Sequence, residues 1–309
     1  MSSLNLIAVV GTGWIGGSWA AYFLARGFDV VATDPSPGAE QDLRARIALY
    51  WEDLEKLGLA SGASVDRLRF VATIEQAVER AEFVQESGPE RLEIKHDMYR
   101  RMSAAAPPDT PLVSSSSFFL VSDLQSTAAR PERVVLGHPF TPHLIPLVEV
   151  AGSPRTSEAA ITRVMEFYKR IGKKPIRLKR EIFGHIANRL QTALWREAFH
   201  LIASGVASAE DVDTAITEGP GITWAVVGPC MVWHVSGGAG GIRKTVAHMG
   251  PPTSAMAREL NTSELTEDVY RKVIESTEAM TAGQDIETLR RYRAEGALKV
   301  LAAKKAISS

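Results

Sequence analysis

The sequence predicts an α/β domain with a doubly wound, mostly parallel sheet over residues 1–181, followed by an all-helical domain over 182–309. Three observations predict it. A glycine-spaced turn, Gly11-Thr12-Gly13-Trp14-Ile15-Gly16, lies between an apolar strand and a helical run. An acid, Asp34, closes the next strand 23 residues after Gly11. Strand and helix signals then alternate through the first part of the chain and give way to helices alone.

The first strand is Leu6 to Val10, and the helix after the turn is SWAAYFLARG. In this context the first glycine permits the tight turn, the second admits a pyrophosphate and the third lets helix and strand pack closely. The helix N-terminus then faces the phosphates with free N–H groups and a favourable dipole. Asp29 to Thr33 is the second strand, and Asp34 is placed to accept from a ribose 2′-hydroxyl. The same carboxylate repels a 2′-phosphate, so NAD is expected rather than NADP. Gly11, Thr12, Gly13, Trp14, Ile15, Gly16 and Asp34 are therefore the candidate cofactor residues.

Residues 38–57 have the spacing of one amphipathic helix, with Leu43, Ile47, Tyr50 and Leu54 on one face. A short strand over 68–72 and a helix over 74–80 follow. The strand 82–86 leads into a helix that opens near Glu90 and Lys95. Those two residues read either as a helix-start acid with an exposed lysine, or as groups facing the nicotinamide half of the cofactor. Strand 111–113 runs into Ser114 to Ser117, a turn or a row of hydroxyls at the sheet's ligand-binding edge. Asp123 to Ala129 is expected as a short helix.

The stretch 134–150, VVLGHPFTPHLIPLVEV, reads as strand, loop, strand. Gly137 is expected to end the first strand, with His138 just past its end, and three prolines exclude a helix. Glu149 sits inside the second apolar strand, where a carboxylate is costly to bury without a partner. His138 is the nearest candidate. Paired so, it becomes a general base of fixed tautomer. The plain alternative is a surface histidine and an edge glutamate.

The chain has 309 residues, 45% hydrophobic and 23% charged, with net charge −1. That composition suits a soluble two-domain protein and leaves no basic footprint for nucleic acid. A single cysteine, Cys230, cannot form an internal disulfide. MSSLNLIAVV lacks a basic region and a cleavage site, and no apolar run reaches membrane length. A cytoplasmic protein without a membrane or nucleic-acid partner is expected. No metal site is indicated.

With these pieces in place, the chain resembles the L-3-hydroxyacyl-CoA dehydrogenase family, nearest the branch of lambda-crystallin (L-gulonate 3-dehydrogenase) and L-carnitine dehydrogenase. The resemblance is carried by GTGWIGGSWA (11–20), FVQESGPERLEIK (83–95), VSSSSFFLVSDL (113–124), GHPFTPHLIPLVEV (137–150), GHIANRLQTALWREAFHL (184–201) and GPGITWAVVGP (219–229). It implies His138 as catalytic base and Glu149 as its partner. It implies that Ser117 and Asn188 hold the substrate oxygen and orient His138, and that Glu90, Lys95 and Ser115 lie near NAD. It also implies a homodimer formed through the helical domain.

The chain departs from the family in three places. Thr141 replaces an asparagine in a segment one residue shorter. The 38–70 segment is shorter than the helical hairpin of the acyl-CoA enzymes. Thr223 stands where the small-acid branch carries arginine. With Phe118 and Phe119 beside Ser117, and with Trp195 and Trp224 as candidates for the same neighbourhood, the last departure points to a larger, less polar substrate. The alternative is that the phenylalanines only fill the core. His143 is a rival base in the shortened loop.

In the helical domain, Glu181 to Ile202 is expected as one helix burying Ile186, Leu190, Leu194 and Phe199. Ser208 and Asp211 form a capping-box pattern, and Gly219 to Gly221 is expected to end the capped helix. Trp224 to Val235 is expected as an all-round apolar helix, while His234 and His248 read as structural. The function expected is an NAD-dependent oxidoreductase interconverting a 3-hydroxy and a 3-keto group of an acid or acyl substrate. Two alternatives stand beside it: a ketoreductase of aromatic polyketide synthesis, and a non-catalytic NAD-binding structural protein.

Overall fold

The computed structural model describes residues 5–260 and 264–308 and divides the chain into two compact units, 1–188 and 189–309. In the first unit, β1 (Leu6–Val10), α1 (Trp14–Ala25), β2 (Asp29–Thr33), α2 (Ala39–Leu57), β3 (Leu68–Phe70), α3 (Ile74–Val78), β4 (Phe83–Glu86), α4 (Leu92–Ala105), β5 (Leu112–Ser114) and α5 (Val121–Leu124) come first. Next are β6 (Val134–Pro139), β7 (Leu147–Ala151), α6 (Glu158–Arg170) and β8 (Lys174–Arg177). The eight strands form one sheet in the order β3-β2-β1-β4-β5-β6-β7-β8. Every neighbouring pair is parallel except β6 with β7.

The strands β1, β4 and β5 are buried along nearly their whole length because helices cover both faces of the sheet. One face packs against α1, α2 and α6, where Trp19 stacks on Phe23 at 5.1 Å and on Tyr168 at 5.5 Å. The other packs against α3, α4 and α5 through Ala77, Tyr99, Met102 and Leu124. Strand order reverses between β1 and β4, so the loops after these strands open a crevice at the carboxyl edge of the sheet. The loops after β5 and β6 adjoin it.

The sequence reading missed α6 and β8. The first is amphipathic and capped by Ser157, whose hydroxyl accepts from the Ala160 amide, and it buries Ile161, Val164, Phe167 and Tyr168. The second, Lys-Pro-Ile-Arg, is a short polar edge strand, which carries no apolar alternation to detect. A further correction concerns β6, which runs through His138 to Pro139 because β7 returns antiparallel beside it. The segment 123–129 holds only the end of α5 and a short 3-10 turn over Gln125–Thr127.

The long helix expected from Glu181 starts instead at α7 (Ala187–Ala203), after Gly184 and His185 take positive φ angles of 74° and 53°. The second unit continues with α8 (Ala209–Thr217), α9 (Pro220–Trp224), α10 (Pro229–Ser236), α11 (Gly241–Glu259), α12 (Glu267–Met280) and α13 (Ile286–Ser308). The Ser208–Asp211 capping box forms as expected. Gly219 to Gly221, expected to end α8, instead opens α9, and the expected apolar helix 224–235 is broken by Gly228-Pro229. The expected buried stripe of α7 is another correction: Ile186, Leu190 and Leu194 are exposed. No helix among the described residues is long and apolar enough to cross a membrane.

Candidate active site

The glycine turn is a cradle shaped by close backbone approach. Gly11 has φ +89°, and a Cβ there would lie 2.7 Å from the Ser87 and Gly88 backbone. A Cβ on Gly16 would lie 1.9 Å from the Gly11 carbonyl oxygen. By contrast, the space beside Gly13 is open for 4 Å, and Trp14 and Ile15 are exposed at the rim. Asp34 reaches back to this turn: its Oδ2 accepts from the Thr12 amide at 2.8 Å and its Oδ1 from the Ser36 amide at 3.0 Å. Partial burial opposes its ionisation, but these bonds outweigh burial and hold its pKa below the usual value. An open glycine cradle beside an ionised acid fits the diphosphate and ribose of NAD.

A buried ionic network underlies the edge of β4 and β5. Lys95 is not the exposed lysine of the plain reading. Its Nζ lies 2.7 Å from Glu86 Oε1 and 3.4 Å from Glu90 Oε2, and its side chain is 1% exposed. Glu86 Oε2 also accepts from the Ser114 and Tyr99 hydroxyls. Glu90 Oε1 accepts from the Ser116 hydroxyl at 2.5 Å and from the Ser117 and Phe118 amides at 2.9 and 3.0 Å. Burial raises the Glu90 pKa, but the Ser116 hydroxyl and the Lys95 charge outweigh it and the net shift is downward. Glu90 thus shapes the serine loop. Ser115 is turned inward, bonded to Gln85 and Ser87. The sequence reading missed Glu86; its signal was a carboxylate closing an apolar strand.

His138 and Glu149 are direct cross-strand partners in the β6–β7 ladder. His138 Nδ1 lies 3.0 Å from Glu149 Oε2, with the side chains 4% and 0% exposed. The other carboxylate oxygen of Glu149 accepts from the Ile186 and Ala187 amides at 2.8 and 3.1 Å. Burial raises the Glu149 pKa, while His138 and the two amides lower it by more. The carboxylate is held ionised at the start of α7, where the helix dipole also favours it. With Nδ1 engaged, the imidazole presents Nε2 as its free nitrogen.

His185 lies beside the pair, and Asn188 lies beside the serine loop. His185 is the only non-glycine residue with positive φ among the described residues. It is buried, its ring centroid lies 5.0 Å from that of His138, and its Nε2 is 3.0 Å from the Ser116 carbonyl oxygen. Burial lowers its pKa, and because a carbonyl oxygen can only accept, Nε2 is the donor. Sequence reading missed His185 as well; the adjacent Gly184 was the available signal for an unusual turn. Asn188 Nδ2 lies 3.4 Å from the Ser117 carbonyl oxygen, which brings both expected substrate-orienting residues together.

The rival base His143 is occupied. Its Nδ1 lies 2.8 Å from the Ser18 hydroxyl and its Nε2 lies 3.6 Å from Asp53, while its ring stacks on Tyr50 at 4.1 Å. Buried Lys173 bonds the Pro142 and Ile145 carbonyls, so the shortened loop is tied down at several points. The two phenylalanines separate: Phe119 packs against the core, whereas Phe118 is exposed and lies 5.8 Å from the exposed ring of Phe183. Thr223 lies in α9 of the second unit.

The doubly wound sheet and its cradle place the chain in the class of NAD-binding proteins. Residues 6–182 match the 3-hydroxyacyl-CoA dehydrogenase NAD binding domain, and residues 184–285 match the C-terminal domain of the same family. The chain belongs to the 3-hydroxyacyl-CoA dehydrogenase family and is an NAD-dependent dehydrogenase acting on CH–OH. It is 48% identical over 302 residues to L-carnitine dehydrogenase of Streptomyces coelicolor, covering 97% of this chain and 95% of that one. It is 45% identical to L-carnitine dehydrogenase of Pseudomonas aeruginosa, covering 98% and 95%. Among solved structures it is similar to 5-formyl-3-hydroxy-2-methylpyridine 4-carboxylic acid 5-dehydrogenase, an NAD+-dependent dismutase, with a TM-score of 0.83, 30% identity and 99% of each chain covered. These relatives do not favour the polyketide or the non-catalytic alternative.

Proposed function

We propose that the protein oxidises the 3-hydroxyl of a small 3-hydroxy acid to a 3-keto group, and that L-carnitine or a similar quaternary-ammonium hydroxy acid is the substrate. The observation that carries the chemistry is the buried His138–Glu149 pair with Nδ1 engaged. NAD+, when bound, supplies the hydride acceptor. His138 Nε2 takes the hydroxyl proton as the carbon–hydrogen electron pair departs and the C=O bond forms; in reduction it returns that proton. Glu149 fixes the imidazole tautomer and stabilises the imidazolium formed. Ser117 and Asn188 hold the reacting oxygen, Glu90 and Lys95 shape the serine loop that carries Ser117, and Ser115 backs that loop.

The substrate follows from the L-carnitine dehydrogenases above, and exposed Phe118 and Phe183 support it. Aromatic faces attract a quaternary ammonium, worth about 0.5–1 kcal/mol at exposed sites, so aromatic rings beside Ser117 do not require an aryl substrate. The exposed apolar stripe of α7 supports a homodimer through the helical part of the chain.

The deciding experiment follows NADH absorbance across L-carnitine, 3-hydroxybutyrate, L-gulonate, 3-hydroxybutyryl-CoA and an aryl 3-hydroxy ester. L-Carnitine should give the highest kcat/KM. A preference for the CoA thioester or the aryl compound overturns the substrate assignment and leaves the chemistry intact.

A further inference from the structure

The glycine cradle has a cation beside it that the family motif does not include. Arg46 lies on α2, and its stem crosses α1 at Gly17, where an added Cβ would sit 3.3 Å from Arg46 Cδ. Its guanidinium Nη1 donates to the Thr12 carbonyl at 3.3 Å, and the guanidinium carbon lies 5.6 Å from the Trp14 ring centroid. Among the described residues the only acid paired with it is Asp42, at 3.7 Å, whose side chain is 63% exposed. A contact that long and that wet leaves most of the positive charge uncompensated.

The Thr12 peptide lies between two charges of opposite sign. Its N–H donates to Asp34 and its C=O accepts from Arg46. A dinucleotide brings two more negative charges to this turn. The N-terminus of α1 supplies the equivalent of about half a positive charge, and α1 has no basic residue in its last turn and no acidic one in its first. Amides and dipole alone thus face three anions close together, with Arg46 the side-chain cation held against the turn.

We propose that Arg46 is a cofactor-binding residue whose guanidinium, steadied on the Trp14 ring, compensates the diphosphate of NAD. Gly17 serves this role by letting the arginine stem lie flat across α1. A guanidinium suits the task because its planar donors can bridge two phosphate oxygens while its face rests on an indole. The inference rests on the cradle as the diphosphate site, and it is independent of the substrate and of His138.

The test is calorimetric titration of the full-length protein with NAD+, ADP and adenosine, without substrate. Arg46→Met keeps the apolar stem over Gly17 and removes the charge; Arg46→Lys keeps charge without the fork. Arg46→Met should weaken NAD+ and ADP about tenfold, in line with one charge-assisted hydrogen bond, and leave adenosine unchanged. It should also flatten the dependence of ADP affinity on KCl, since a partly exposed ion contact is screened by salt. Arg46→Lys should recover part of the ADP affinity. Equal weakening of ADP and adenosine, or no change in ADP, overturns the proposal and makes Arg46 a packing residue. Asp34→Ala separates that failure from a failure of the site itself: it should weaken adenosine and NAD+ together, and if it weakens neither, the cradle is not the cofactor site.

Discussion

Two buried acid–base pairs lie against the same sheet, and they differ in how completely their polar atoms are enclosed. In the Glu86–Lys95 pair, every charged atom is surrounded: Lys95 faces two carboxylates and a carbonyl, and Glu86 also takes two hydroxyls and an amide. In the His138–Glu149 pair the carboxylate has three partners, one imidazole and two amides, and among the described residues the imidazole is held by only one of its nitrogens. The first arrangement fixes a charge in place. The second fixes a ring through one nitrogen. Burial and ionic pairing are common to both, so what supports the proposed role of His138 is the difference in how many partners each side chain has.

Substitutions should separate the two pairs. The largest expected effect is on turnover in His138→Ala, a loss of about 10²–10⁴-fold in kcat, the usual cost of removing a general base. NADH affinity should hardly move, and the urea midpoint should fall only modestly, because Glu149 keeps its two amide donors. Glu149→Gln should lose less, because it disturbs orientation and imidazolium stabilisation while leaving Nε2 in place. Steady-state kinetics on both variants check this, and a His143→Ala variant more damaging than His138→Ala would reverse the assignment.

The contrasting prediction is for Lys95→Met. Removing one partner of a buried ion pair typically costs about 3–5 kcal/mol, because the remaining charge is left unpaired. Lys95→Met should therefore lower the urea midpoint far more than either dyad variant. Any fall in kcat should be recovered in part by the double variant Lys95→Met/Glu86→Gln. Full stability in the single variant would break the contrast between a structural and a reactive pair.

The smallest effect concerns His185. Its folded pKa is lowered, chiefly by burial, from an ordinary value of 6.5. Below that pH the unfolded chain takes a proton that the folded chain refuses, so stability falls as pH drops from 6.5 towards the folded value. The lowered pKa values of Glu149, Glu90 and Asp34 act in a separate window, with stability present above their ordinary values of 4.5, 4.5 and 3.8 and lost below them. His185→Asn, which tolerates positive φ, should cost about 1 kcal/mol at pH 7 through the lost bond to Ser116. It should also lose less stability than the parent between pH 7 and pH 5. Urea melts at the two pH values measure both; a parallel decline would show that His185 does not titrate with folding.

Part of the site was legible in short-range pattern, whereas the roles of Ser117 and Asn188 came from the resemblance alone. The cradle needs only a strand, six residues and a helix. Asp34 needs only the length of one helix and one strand. Glu149 stood out because a carboxylate among Leu147, Val148 and Val150 demanded a partner, and His138 was near enough in sequence to be named. The elements around α1, β2 and α2 followed from apolar periodicity that a helix or strand must obey wherever it packs.

Other features depended on which surfaces meet. His138 lies inside β6 because β7 returns antiparallel beside it and extends the ladder to Pro139; nothing in Val134 to Pro139 alone requires that. Lys95 turns inward because Glu86 and Glu90 converge on it from a neighbouring strand and loop, and local sequence would have left a lysine in water. His185 occupies its strained conformation because the Ser116 carbonyl and the Glu149 carboxylate together hold the turn that begins α7. The sequence by itself determined the sheet's glycine turn and the acid that follows it, since these are properties of spacing, and it named His138 and Glu149 as candidate partners. Only the tertiary structure decided which side chains are enclosed on every polar atom and which are held at one atom, because that depends on how many partners surround each atom.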